Sequence, residues 1–308
     1  MTPIDRSMDV VVRDVGPRDG LQSVGAAPTT AEKATLVTAL LDAGITRVET
    51  GSFVSPRAVP QMADSGEVLA LVPVRPRVRR EALVLNDSGV ARALAAEADA
   101  LVTVVAASET FGQRNARIAR VDAVAVATRA RSAALATGAG CVADIATSFG
   151  CAYEGPVAVR DVVQVAVELA AAGYDEITLA DTTGSAGPDD VREVVGAVRS
   201  AVGPGVTLGL HLHDTRGLGL VNVVAGLESG IRLFDASVGG IGGCPFSPGA
   251  TGNVCTEDLV HLVHALGLET GIDLDALVRT ARATELVLGF TLPGRVMRAG
   301  PRFAESAA

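Results

Sequence analysis

Lysine is almost missing from this chain: of 26 basic residues only Lys33 is a lysine, and the rest are arginine. Schiff-base chemistry, pyridoxal phosphate attachment and a phosphate loop ending in Gly-Lys all require a lysine at a defined place. Lys33 lies in TTAEKATLVTALL, in the first turn of an expected helix, where a solvated side chain is expected. Any carbon–carbon bond chemistry here would need a metal ion or another electrophile. Tryptophan is absent and aromatics make up 3% of the chain, which argues against stacking platforms for nucleic-acid bases. A net charge of −9 also disfavours nucleic acid and anionic membrane surfaces as partners. No apolar run approaches the roughly 18 residues of a membrane span. The four cysteines (Cys141, Cys151, Cys244, Cys255) form no Cys-x-x-Cys pair, and no secretory signal precedes them. Reduced thiols and a cytoplasmic location are expected, rather than a disulfide framework or a thiolate metal site.

What is present is a large apolar fraction, 48% of 308 residues, spread over short strand-like and helical patches. Runs that fit buried parallel strands fall at 9–15, 46–52, 81–86, 100–106, 139–146, 175–181, 206–213 and 232–238. Helical stretches such as RDVVQVAVELAAAG and PDDVREVVGAVRSAV separate them; Gly44 and Gly173 read as helix stops and Pro188 as a helix start. Eight strands alternating with helices predict an α/β fold, a closed (β/α)8 TIM barrel, over residues 1–270. Residues 271–308 are expected to form a C-terminal helical extension packed on it. The competing architecture is an open doubly wound sheet, but no Gly-x-Gly-x-x-Gly follows the first strand.

A barrel places its chemistry at the C-terminal ends of its strands, and the unusual polar residues of this chain fall there. The first strand runs into Gly16-Pro17-Arg18-Asp19-Gly20, the second carries Glu49 among apolar neighbours, and the sixth ends at Asp181. His211 and His213, two apart at the end of the seventh strand, point to one face; they read either as metal ligands or as a structural hydrogen-bonded pair. Arg18 and Asp19 can diverge in a loop, the carboxylate towards a hard cation and the guanidinium towards a developing oxyanion, or they form a local salt bridge. Arg18 is a candidate partner for Glu49, making Glu49 an orienting group as readily as an acid–base; Asp14 reads as structural. The eighth strand leads to Gly239-Gly240-Ile241-Gly242-Gly243-Cys244-Pro245, where a thiol on a glycine-rich, movable loop could transfer a proton. An inert thiol and a phosphate cradle are the rival readings of that loop. His261 and His264 read as surface or packing residues, and the other cysteines as structural.

With these residues in view, the chain resembles the 3-hydroxy-3-methylglutaryl-CoA lyase family of metal-dependent barrel enzymes. The matching text is VGPRDGLQS at 15–23, VETGSFVSPRAVPQMAD at 48–64, FGCAYEG at 149–155, LADTTG at 179–184, HLHDTRG at 211–217 and DASVGGIGGCPFSPGATGNVCTEDLV at 235–260. The GGCP loop is the most specific piece, because the condensing synthases of the same barrel group do not carry it. The resemblance implies an acyl-CoA substrate and a divalent cation, Mg²⁺ or Mn²⁺, held by Asp19, His211, His213 and Asn253. It assigns Arg18 to the thioester oxygen, Cys244 to proton transfer, and Glu49, Asp181 and His211 to the catalytic network. A homo-oligomer, a dimer at its simplest, is expected. The chain departs from the family pattern at Leu85-Asn86-Asp87-Ser88-Gly89, at Arg114-Asn115-Ala116-Arg117 and at Ala152, in loops that would touch the CoA or the acyl chain. Cleavage of 3-hydroxy-3-methylglutaryl-CoA to acetyl-CoA and acetoacetate is the expected activity. The alternatives are cleavage of another 3-hydroxy-3-alkylacyl-CoA, condensation by a related synthase, and a catalytically silent barrel.

Overall fold

A computed structural model describes residue 4 and residues 9–25, 28–242 and 252–300. Eight parallel strands close into one barrel in sequence order. They are β1 (Val11–Asp14), β2 (Arg47–Ser52), β3 (Arg79–Val84), β4 (Ala100–Ala106), β5 (Gly140–Ala146), β6 (Glu176–Asp181), β7 (Thr207–Leu212) and β8 (Leu233–Ala236). Closure is made by β1 on β8, in register from Val11↔Leu233 to Asp14↔Ala236. The strands are short; β4 (ALVTVVA) and β5 (GCVADIA) read as largely apolar runs, whereas β2 (RVETGS) and β3 (RREALV) carry charged side chains.

The local signals act as the sequence predicts. Thr29 and Glu32 form a capping box that starts the helix Thr30–Asp42, which ends before Gly44 at φ +97°. Pro188 opens the helix Pro188–Val202, and Asp190 accepts a hydrogen bond from Gly187 N at 2.8 Å. The helix Leu274–Leu288 packs against Thr30–Asp42, and Asp273 N donates to Ala43 O at 2.8 Å. No helix among the described residues is long and apolar enough to cross a membrane.

Two expectations need correction. The third strand begins and ends two residues earlier than predicted, at 79–84. Its charged start is held by Asp99, which takes hydrogen bonds from Arg80 N and Nε, while Asn86 caps the next helix by accepting from Gly89 N at 2.8 Å. The other correction concerns Lys33, which is buried rather than solvated. Its Nζ donates to Gln61 O at 2.6 Å and to Asp64 Oδ1 at 2.7 Å, pinning the first helix to the segment that follows β2. The partners come from a different β/α unit, which the local sequence does not reveal. Lys33→Met should therefore lower unfolding stability by about 1.5–3 kcal/mol, the range for hydrogen bonds to a charged group. Denaturant titration beside a turnover assay checks this; lost turnover at unchanged stability would place Lys33 in the chemistry instead.

The barrel interior is charged where many barrels are aliphatic. Arg13 on β1 is completely buried and reaches Asp235 on β8 through Nε at 2.7 Å and Nη2 at 2.5 Å. The same guanidinium meets Asp144 on β5 at 3.0 Å, Glu81 on β3 at 3.4 Å and Glu49 on β2 at 3.9 Å. Below it Arg47 joins Glu81 at 2.7 Å and Glu176 at 2.5 Å. Pairing of this kind is what makes buried charge tolerable.

Candidate active site

The site is built on this ionic floor, at the C-terminal ends of the strands. After β1 the chain makes one π-helical turn, Gly16–Gly20, in which Val15 O accepts from Arg18 N at 3.1 Å and Asp19 N at 2.7 Å. The turn closes over Asp14, whose carboxylate accepts from Gly16 N at 2.8 Å and Thr256 Oγ1 at 2.7 Å, the structural role expected of it. Arg18 and Asp19 converge rather than diverge: Arg18 Nη1 donates to Asp19 Oδ1 at 2.7 Å, and Arg18 Nε donates to Glu49. The salt bridge and the placement beside the two histidines coexist. Burial opposes charge on Arg18, but Glu49 and Asp19 outweigh it and raise its pKa.

His211, one residue before the end of β7, has its Nδ1 3.1 Å from Asp235 Oδ2. Because Asp235 is clamped by Arg13, its carboxylate fixes the proton on Nδ1 and leaves the Nε2 lone pair facing the cavity. Burial works against charge on His211, and the Asp235 hydrogen bond more than offsets it. His211 Nε2 and His213 Nε2 lie 3.1 Å apart, and burial together with the His211 charge pushes His213 down to about 4. Asp19 completes the group: one ligand atom from each of Asp19, His211 and His213 lies within 4.8 Å of the others. Burial alone would raise Asp19, but Arg18 and the two imidazoles hold it at about 2.

Asn253 reaches the same point from a segment laid along the end of β7, where it bridges His213 and Val254 N donates to Leu212 O at 3.0 Å. Its Nδ2 donates to Asp19 Oδ2 at 2.8 Å, and its Oδ1 is buried with no hydrogen-bond partner among the described residues. A glycine is needed beside it: Gly242 has φ +116°, and a Cβ there would sit 2.7 Å from Asn253 Nδ2. His213 Nδ1 is likewise buried and unpartnered among the described residues. Two facing imidazole nitrogens, a carboxylate held ionised and an orphaned amide oxygen form a donor set that suits a hard divalent cation.

Two other expected residues lie at the margin. Glu49 is fully buried between Arg18 and Arg13, the position of an orienting group. Asp181 ends β6 with its carboxylate accepting from Ser185 N at 3.0 Å and Ala186 N at 3.1 Å; burial raises its pKa. Its neighbours Ala180 and Thr182 line the cavity. Cys244 lies outside the described residues. Cys141, Cys151 and Cys255 are buried; burial pushes the Cys141 thiol up to about 11. His261 and His264 are half-buried on the helix Thr256–Ala265, away from the site. Sequence reasoning missed Arg13, Glu81, Asp144 and Asp235. Each is a charge inside an apolar strand, the same signal that singled out Glu49.

The cavity above the cluster has a volume of about 280 Å³. Arg18, Asp19, His211 and His213 line one side, and Leu83, Leu85, Val104 and Phe111 another. A TIM barrel with a carboxylate–imidazole cluster and a buried arginine beside an apolar chamber has the parts of a metal-assisted carbon–carbon lyase. Residues 9–284 match the HMGL-like family model, and the chain belongs to that family. It is 40% identical to (R)-citramalyl-CoA lyase of Chloroflexus aurantiacus, over 96% of each chain. It is 41% identical to 3-hydroxy-3-isohexenylglutaryl-CoA/hydroxy-methylglutaryl-CoA lyase of Pseudomonas aeruginosa, over 93% of this chain and 95% of that one. An HMG-CoA lyase from Acinetobacter baumannii, solved with coenzyme A and 3-methylmalate, superposes with a TM-score of 0.91 at 40% identity, over 96% of both chains. The chain is thus a CoA lyase, an enzyme that breaks carbon–carbon bonds.

Proposed function

We propose that the enzyme cleaves 3-hydroxy-3-methylglutaryl-CoA, or a close analogue substituted at C3, to acetyl-CoA and a 3-oxoacid, acetoacetate for the methyl substrate. The observation that carries this reading is the meeting of Asp19, His211 and His213 with Arg18 at one cavity. Asp19, His211, His213 and the orphaned Asn253 Oδ1 would hold a divalent cation, Mg²⁺ or Mn²⁺. When bound, it acidifies and orients the tertiary hydroxyl of the substrate.

The protein's own groups do the rest. A base of the site takes the hydroxyl proton. His211 is not that base, because its Nε2 would hold the cation while its Nδ1 donates to Asp235. The oxygen's electron pair forms the new carbonyl, and the C2–C3 bond breaks. Its electrons pass to the thioester as the acetyl-CoA enolate, whose oxygen Arg18 is placed to stabilise. Protonation at C2 completes the reaction, with Cys244 as the donor. Glu49 holds Arg18 in place for this, and the apolar walls exclude water from the enolate.

A second reading, cleavage of citramalyl-CoA, is supported by the 40% identity to the Chloroflexus aurantiacus enzyme. A coupled assay of acetyl-CoA release over a panel that includes both thioesters separates the two. Chelation should abolish cleavage, and Mg²⁺ or Mn²⁺ should restore it. Full turnover in chelator-treated, metal-free protein would sink the metal mechanism, and no acetyl-CoA from any member of the panel would sink the lyase reading.

A further inference from the structure

Apart from Arg18, Asp19 and the two histidines, one charged or titratable side chain lines the described cavity, and it is Asp144. It sits on β5, paired with Val104 of β4 and Thr178 of β6. In a closed barrel of eight strands β5 faces β1, so Asp144 lies across the chamber from Arg18 and Asp19. Towards the chamber the lining includes the apolar Leu83, Val104, Ala146 and Phe111, while Arg13, Asp235 and Glu49 lie on its other side. The residue is 6% exposed, and its carboxyl is anchored from below by Arg13 Nη2 at 3.0 Å.

That anchor is shared. The same Arg13 nitrogen lies 2.5 Å from Asp235 Oδ2, and Arg13 also faces Glu81 and Glu49. Asp144 thus receives one hydrogen bond from the described residues, from a cation already claimed by three other carboxylates. A carboxyl group can take part in several more, and the open side of this one faces the substrate chamber. Burial raises its pKa to about 6 against the pull of Arg13, as expected of a carboxyl incompletely served by its partners.

We propose that Asp144 is a specificity-determining residue for the acyl group: it favours thioesters whose C3 branch ends in a hydroxyl at its depth over hydrocarbon branches of equal length. This rests on the lyase reading above. A hydroxyl donates to a carboxylate and accepts from a carboxylic acid, so it matches Asp144 in either protonation state. A hydrocarbon branch of the same length strips water from the carboxyl and returns no hydrogen bond, which is costly in an apolar chamber. Asp144 thus divides the substrates of an otherwise permissive apolar pocket by polarity.

The test compares isosteres. On the wild-type enzyme, kcat/KM is measured for 3-hydroxy-3-alkylglutaryl thioesters bearing methyl, propyl and butyl branches. The 2-hydroxyethyl and 3-hydroxypropyl analogues, equal in heavy atoms to the last two, complete the set; competitive inhibition constants serve where a thioester binds without turnover. The hydroxylated member of at least one pair should be preferred by about tenfold or more. Asp144→Ala should erase or reverse that preference, and Asp144→Asn, which still offers an acceptor to Arg13 and a polar group to the chamber, should retain part of it. A ratio moves only if Asp144 meets the branch; a purely structural role would lower both members together. Wild-type ratios within about twofold of unity for both pairs, or an unchanged ratio in a folded Asp144→Ala protein, would overturn the proposal. If the alanine variant does not fold, the wild-type and asparagine ratios decide. Absence of cleavage for all five thioesters would instead remove the 3-hydroxy-3-alkylglutaryl reading in favour of the citramalyl-CoA one, and this inference with it.

Discussion

Arg18→Gln should lower kcat by roughly 10²–10³-fold with a smaller change in KM, the pattern left by loss of a donor to a developing oxyanion. Glutamine keeps polarity and some length but loses the charge, so the enolate would form beside a neutral amide. The side chain also touches Asp19 at 2.7 Å, so metal affinity must be measured on the same variant. A fall in kcat that saturating metal rescues would move the role of Arg18 from the enolate to the metal site. A change confined to KM would make it a substrate-binding residue only.

Arg13→Leu should destabilise the fold by about 3–5 kcal/mol or more, the cost of leaving buried partners without their counter-charge. Asp235, Asp144, Glu81 and Glu49 would all lose a cation at the barrel axis, and only Glu49 and Glu81 have a second arginine close by. Since domains of ordinary size are stable by about 5–15 kcal/mol, the loss should be plain in denaturant titration and in expression. In protein that still folds, His211 would lose the anchored carboxylate that sets its tautomer, and metal affinity should fall with it. A loss below about 1 kcal/mol would show that the carboxylates take up protons cheaply on losing Arg13.

The sequence makes the upper half of this barrel readable and hides the lower half. Turn glycines, strand ends and the His-x-His pair are local signals, and Arg18, Asp19, His211 and His213 follow from them because a barrel delivers every strand end to one rim. Arg13 is written as plainly, in VVVRDV, but its meaning depends on partners at 81, 144 and 235 on three other strands. Only closure of β1 on β8 brings Asp235 to it. Asn253 depended on the resemblance, since nothing local says that the segment after the glycine loop runs back beside β7. Lys33 misled for the reverse reason: its helix position is right, but Gln61 and Asp64 from the next unit fold over it.

That burial has a consequence for a protein that handles thioesters. Thioesters are acylating agents: with cysteine thiolates they exchange reversibly, whereas with a lysine amine they leave a stable amide. Here the chain's single side-chain amine is enclosed, with a carboxylate and a backbone carbonyl against its nitrogen, and every other basic side chain is a guanidinium or an imidazole. Arginine stays protonated at any physiological pH and so remains a poor nucleophile. The outer surface therefore offers its own reactive substrate no lysine to label, however long the two share a compartment.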